Sequence, residues 1–75
     1  MIICHLISDG HNLHRQLSLP KIPQQNDIVA SSSDHKSEHY LVRFVEFVNR
    51  HNSVNLHVQI FPNRDSAILA IDNIR

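Results

Sequence analysis

The chain has a single cysteine, a single glycine, no net charge and no long apolar run, and each lack excludes something. Cys4 alone cannot form an intrachain disulfide, which points to a reducing compartment or to indifference to redox state. No stretch approaches the ~18 consecutive apolar residues that a membrane span needs. The opening Met1-Ile2-Ile3-Cys4-His5 has neither the charged region nor the long apolar run of a secretory signal. The expected location is cytoplasmic, with no membrane partner. Seven Lys and Arg balance seven Asp and Glu, so the chain has no long-range pull on phosphate polymers or anionic membranes. A local basic patch of Arg43, Arg50 and Arg64 is the remaining route to nucleic acid.

What is present suits one small domain. Seventy-five residues with 41% hydrophobic content are ordinary for a globular chain, but a domain this short hides only about 60% of its unfolded surface. A real but shallow core is expected. Seven histidines are unusual in so short a chain. Acidification through about pH 6.5 would charge several of them and improve solubility by moving net charge away from zero.

Along the chain, Ile2 to Ser8 is a short run rich in β-branched residues and reads as a strand. Asp9-Gly10 follows, a strong hairpin signal because both residues tolerate positive φ, and Gly10 is the only glycine. In the return from Leu13 to Leu19, Leu13, Arg15, Leu17 and Leu19 alternate against His14, Gln16 and Ser18, which leaves the Arg15 head at an edge. Pro20 and Pro23 cannot continue a central strand, so Pro20 to Asn26 is a connection anchored in the core by Ile22. Asp27 to Ala30 is a short strand, and Ser31 to Glu38 is a polar turn or loop.

The densest apolar run, His39 to Val48, admits a helix or a strand. Its β-branched and aromatic content favours the strand, apolar on both faces because it is central or because a bulge switches its inward face partway. After a polar turn at Arg50-His51-Asn52-Ser53, Val54, Leu56, Val58 and Ile60 alternate with Asn55, His57, Gln59 and Phe61, the pattern of a half-buried strand. The tail changes period. Asn63 or Asp65 can cap a helix from about residue 64 to 74, with Ile68, Ile71 and Ile74 on one stripe, Ala67 beside it and Arg75 suiting the dipole. So short a helix must dock, on one mouth of its own barrel or on a second subunit. No internal repeat or linker divides the chain.

The expected architecture is mainly β: one domain over residues 1–75, a five-stranded antiparallel barrel with a short C-terminal helix. The order Leu19-Pro20, Ile22-Pro23, Asp27-x-Val29 and Tyr40-x-Val42-x-x-Val45 resembles small uncharacterised SH3-like barrel proteins of bacteria, phages and mobile elements. These carry Leu-Pro-x-Ile-Pro-x-x-Gly-Asp-x-Val followed by Tyr-x-Val-x-x-Val. The likeness spans about residues 2 to 61. Asn26 stands where that pattern has Gly, and Asn tolerates left-handed geometry; the pattern does not explain the terminal helix. The resemblance implies a barrel of phage or mobile-element origin and supplies no catalytic residue.

Chemistry is thinly signalled. His11-x-x-His14 and His35-x-x-x-His39 could furnish four imidazoles to zinc, but they sit at turns, match no standard signature and have no cysteine beside them; exposed turn histidines are the simpler reading, and no metal or cofactor is expected. Cys4 and His5 are strand neighbours pointing to opposite faces, so Cys4 reads as core rather than nucleophile. Glu38, Glu46 and five aspartates show no pairing motif. Ser31-Ser32-Ser33 lies in no Gly-x-Ser-x-Gly. The chain is expected to be no enzyme. The expected recognition surface is His39, Arg43, Arg50, His51, His57, Gln59 and Phe61, where Arg, His and aromatic side chains suit contact hot spots; Phe61 alternatively packs under the terminal helix. The favoured reading is a protein-binding module, an adaptor or inhibitor of a host complex or a homo-oligomer. A nucleic-acid-binding small barrel is the alternative.

Overall fold

The computed structural model describes residues 1–48 and 52–74 of the chain. Strand β1 (Ile2–Ser8) returns through Asp9-Gly10 into β2 (His11–Leu19), with Ser8 opposite His11. Asp9 at φ 53° and Gly10 at φ 77° are both left-handed, the pair of dihedrals that matches a tight hairpin turn to strand twist. Strand β3 (Ile28–Ala30) pairs antiparallel with β4 (His39–Phe47), which pairs antiparallel with β5 (Ser53–Phe61). Helix α1 (Arg64–Ile74) follows. The extended reading of 39–48 holds from His39 to Phe47; Val48 lies beyond the strand.

The sheet order is β2-β1-β5-β4-β3, and β1 runs parallel to β5, with Cys4 opposite Val54 and Leu6 opposite Leu56. The expectation of a purely antiparallel sheet is thereby corrected: the sheet is mixed. Alternating apolar residues say which face of a strand is buried, but parallel and antiparallel neighbours bury the same faces, so the pattern carries no direction. The sheet is curled into a half-barrel whose edges are β2 and β3.

Its concave face holds the main core: Cys4 and Leu6 from β1, Tyr40 and Val42 from β4, Val54, Leu56 and Val58 from β5, and Val29 from β3. Leu13, Leu17 and Leu19 of β2 and Ile22 of the following connection pack against it. That connection leads from one sheet edge to the other, so it must span the curl. Asn26, at φ 72°, donates its N–H to the Val42 carbonyl (2.7 Å), and the Val42 N–H donates to the Asp27 carbonyl (2.9 Å). Asn26 there takes the left-handed conformation that Asn tolerates better than most residues. Opposite β3, the half-barrel is clasped by one side chain: Arg15 Nη1 on β2 donates to Tyr40 Oη and to Glu38 Oε1, each at 3.0 Å. The Arg15 head thus lies at an edge, as its place in the alternation required.

The first half of β4 is buried on both faces. Leu41 points away from Tyr40 and Val42, yet it is fully buried, as is Ala67 of α1, and Ile71 one turn on is 9% exposed. The helix packs on β3, β4 and β5, so it covers the convex face and closes no mouth of the barrel. Asn63 Oδ1 caps it by accepting the Ser66 N–H at 2.9 Å, and the Arg64 N–H donates to the His35 carbonyl, tying the helix start to the β3–β4 loop. The buried seam is Ala67 and Ile71, one turn apart, whereas Ile68 and Leu69 are exposed. This corrects the expected stripe through Ile68. Ala67 lets the helix backbone approach the sheet closely, which rotates Ile68 outward. Arg75 lies outside the described residues.

Because Leu41 is buried only if α1 is docked, Leu41→Ala is expected to lower unfolding stability by about 2–5 kcal/mol. An effect within about 0.5 kcal/mol, the range of exposed positions, in urea unfolding would mean that the helix does not cover this face.

Candidate interaction groove

The convex face has a second half that the helix does not reach, and a bulge builds it. Between Val42 and Phe44 the β4–β5 register shifts by one residue: Val42 faces Val58, while Phe44 faces His57 and Val45 faces Leu56. The extra residue is Arg43. Strict alternation from Val42 would turn Phe44 inward and Val45 outward; the bulge reverses both. Val45 packs on the core, and Phe44 stands on the surface, 54% exposed.

There Phe44 stacks on His57 of β5, with ring centroids 4.0 Å apart and planes 15° from parallel. The His57 Nε2–H donates to Glu46 Oε1 at 3.0 Å, and Asn55 Nδ2 donates to the same oxygen at 3.1 Å. Glu46 is thus held by two donors on the neighbouring strand. The His57 hydrogen bond, then that of Asn55, pulls the Glu46 carboxyl below its usual range, since both favour the charged form. The Phe44–His57 wall borders an open groove of about 900 Å³ that Arg43, Gln59 and the Asp9-Gly10 turn also line.

The structure brings three of the expected recognition residues to this groove: Arg43, His57 and Gln59. It removes His39, which is 3% exposed and donates its Nδ1–H to the Ser37 carbonyl at 2.8 Å. His39 shares the convex face with Leu41, beneath the helix, and is corrected from contact residue to satisfied core histidine. Phe61 is half-buried opposite His39. Arg50 and His51 lie outside the described residues. Phe44, Glu46 and Asn55 were missed by sequence reasoning, because Phe44 joins them only once the bulge is placed. An aromatic preceded by Arg inside an otherwise apolar strand was the available signal.

The other candidates stay apart. His11 and His14 are exposed on β2, His35 is exposed in the β3–β4 loop and His39 is buried. Among the described residues no group of three or more His, Cys, Asp or Glu is placed to hold a metal. Cys4 is fully buried, and burial pushes its thiol up, away from the reactive thiolate. Among the described residues no helix is long and apolar enough to cross a membrane. No protein-family model, curated protein or solved structure matches the chain.

Glu46 gives the groove a defined pH response. Its folded-state pKa is lowered, so its contribution to stability is present above the unfolded value of about 4.3 and is lost as pH falls through the lowered one. Melting temperatures of wild type and Glu46→Gln should differ at pH 6 and converge in strong acid. Curves that stay parallel down to the acid limit would show that Glu46 is not held as described.

Proposed function

We propose that the chain is a non-enzymatic protein-binding module that uses the groove walled by Phe44 and His57, with Arg43 and Gln59 as its polar contacts. The finer fold reading, an SH3-like barrel, belongs to the same proposal. It is supported by five short strands in a curled sheet, the Asp9-Gly10 hairpin and the Pro-bounded connection, while the parallel β1–β5 pair departs from the all-antiparallel arrangement. An adaptor or inhibitor of a larger complex is the role such a module would take; a phage or mobile-element origin rests on the motif resemblance alone.

The observation that carries the reading is an exposed aromatic ring already held in place. Phe44 is stacked on a histidine that is itself hydrogen-bonded to Glu46, so little side-chain freedom remains to be lost on binding. Aromatic and Arg side chains are the usual energetic anchors of protein interfaces. The zero net charge supports a protein partner over nucleic acid, because a polyanion ligand draws most of its affinity from phosphate neutralisation.

Affinity capture from the source cells, compared between wild type, Phe44→Ala and Arg43→Glu, tests this. Both variants should stay folded, being changed at exposed positions, and should weaken capture of the same protein by about tenfold or more, as hot-spot truncations above about 1.4 kcal/mol do. Capture that survives both changes, or that brings down only nucleic acid and collapses steeply with salt, would overturn the reading.

A further inference from the structure

The hairpin turn that ends β1 sets a carboxylate beside a glycine nitrogen. Asp9 is the one Asp or Asn in the chain followed by glycine, since Gly10 is the only glycine. Both residues are exposed, and the space that a Cβ on Gly10 would occupy is open. No side chain therefore crowds the Gly10 nitrogen, which can close a five-membered ring onto the Asp9 carboxyl carbon. The side-chain oxygens of Asp27, Asp34 and Asn63 each accept a backbone N–H, from Gln24, Lys36 and Ser66. Among the described residues the Asp9 carboxylate has no such bond and no ion pair. Asp9 and Gly10 are both left-handed, as in a type I′ turn; type II′ keeps the positive φ at the first residue and differs by a flip of the central peptide. Ring closure needs ψ of Asp9 to rotate, and a transient flip supplies that rotation without unpairing the strands.

We propose that Asp9-Gly10 is a self-modification site, where the chain isomerises to an isoaspartyl linkage through a cyclic imide. The Gly10 main-chain nitrogen attacks Asp9 Cγ. The N–Cγ bond forms, one Cγ–O bond breaks, and that oxygen leaves as water with the amide hydrogen and a proton from solvent. Water then adds to one of the two ring carbonyls. Cleavage of the N–Cγ bond restores Asp9. Cleavage between the nitrogen and the Asp9 main-chain carbonyl carbon leaves the chain running through Cγ, with the former main-chain carbonyl as a free carboxylate. No oxidant or cofactor takes part, and the mass of the chain is unchanged. The product lengthens the main chain by one methylene inside the loop closed by the Ser8–His11 pair. Ser8, Asp9 and Gly10 line the groove that Arg43 and Gln59 also line, so the modification reshapes its wall there. The reaction does not depend on what the groove binds.

Incubation of the full chain in water enriched in heavy oxygen tests the proposal, with trypsin digestion in ordinary water and mass spectrometry of the Met1–Arg15 peptide. Under folding conditions Asp9 should gain one heavy oxygen, and the peptide should split into two labelled species of equal mass that separate in chromatography. Only local motion at the hairpin tip is needed. A reaction confined to globally unfolded molecules would run about a thousandfold or more slower than in the urea-unfolded chain, and the folded chain should fall short by far less. Asp9→Asn should react faster, with ammonia leaving in place of water, and should gain a negative charge as it converts. Asp9→Gly should keep the hairpin and its circular-dichroism spectrum, since Gly-Gly accepts both positive φ values, and should show no label at this position. No heavy oxygen at Asp9 in the folded chain, a folded rate lower by that thousandfold, or label reaching Asp27 and Asp34 equally fast would overturn the proposal.

Discussion

The structure depends on a single constraint: β4 can be covered on both faces for only part of its length. Four consecutive residues, His39 to Val42, are buried, because the curled sheet closes over Tyr40 and Val42 while α1 closes over His39 and Leu41. An eleven-residue helix cannot cover a nine-residue strand along its whole run and its neighbours as well. Where the cover ends, the bulge at Arg43 begins. It keeps Val45 in the core and turns Phe44 to solvent, so the limit of helix coverage and the start of the groove are the same place in the chain.

The concave side shows a related economy of closure. β2 and β3 do not pair, and the gap between them is held by a connection and one arginine rather than a ladder of backbone bonds. Tyr40 is the shared partner. Its ring fills the core while its hydroxyl meets Arg15 at the rim, an aromatic body with a polar end used at a boundary between apolar and wet surroundings. Glu38 is exposed beside this contact, so its ion pair with Arg15 is screened and gives orientation more than stability. A seam of this kind tolerates the parallel β1–β5 pairing, because the curl does not have to bring two edge strands into register.

The groove has polar groups whose geometry is set by hydrogen bonds between strands, with Glu46 held by His57 and Asn55. In the proposed role as a binding module, such fixed groups would discriminate between partners.

Strand and helix positions were legible in the sequence. Asp9-Gly10 marked its hairpin through two residues that accept positive φ, the alternation from Val54 to Phe61 assigned both faces of β5, and Asn63 or Asp65 offered the cap of the helix, which the structure gives to Asn63. The site was only partly legible. Arg43, His57 and Gln59 could be named from side-chain character, whereas Phe44 and Glu46 required the bulge, and His39 required the knowledge that a helix lies over it. Local pattern determined which residues are apolar neighbours along one strand, since period and turn chemistry act within a few residues. Tertiary structure alone decided the direction of β5 beside β1, the docking face of α1 and the phase of β4 beyond Val42. Those choices are made by contacts between distant segments, and alternation along one strand reads the same for either outcome.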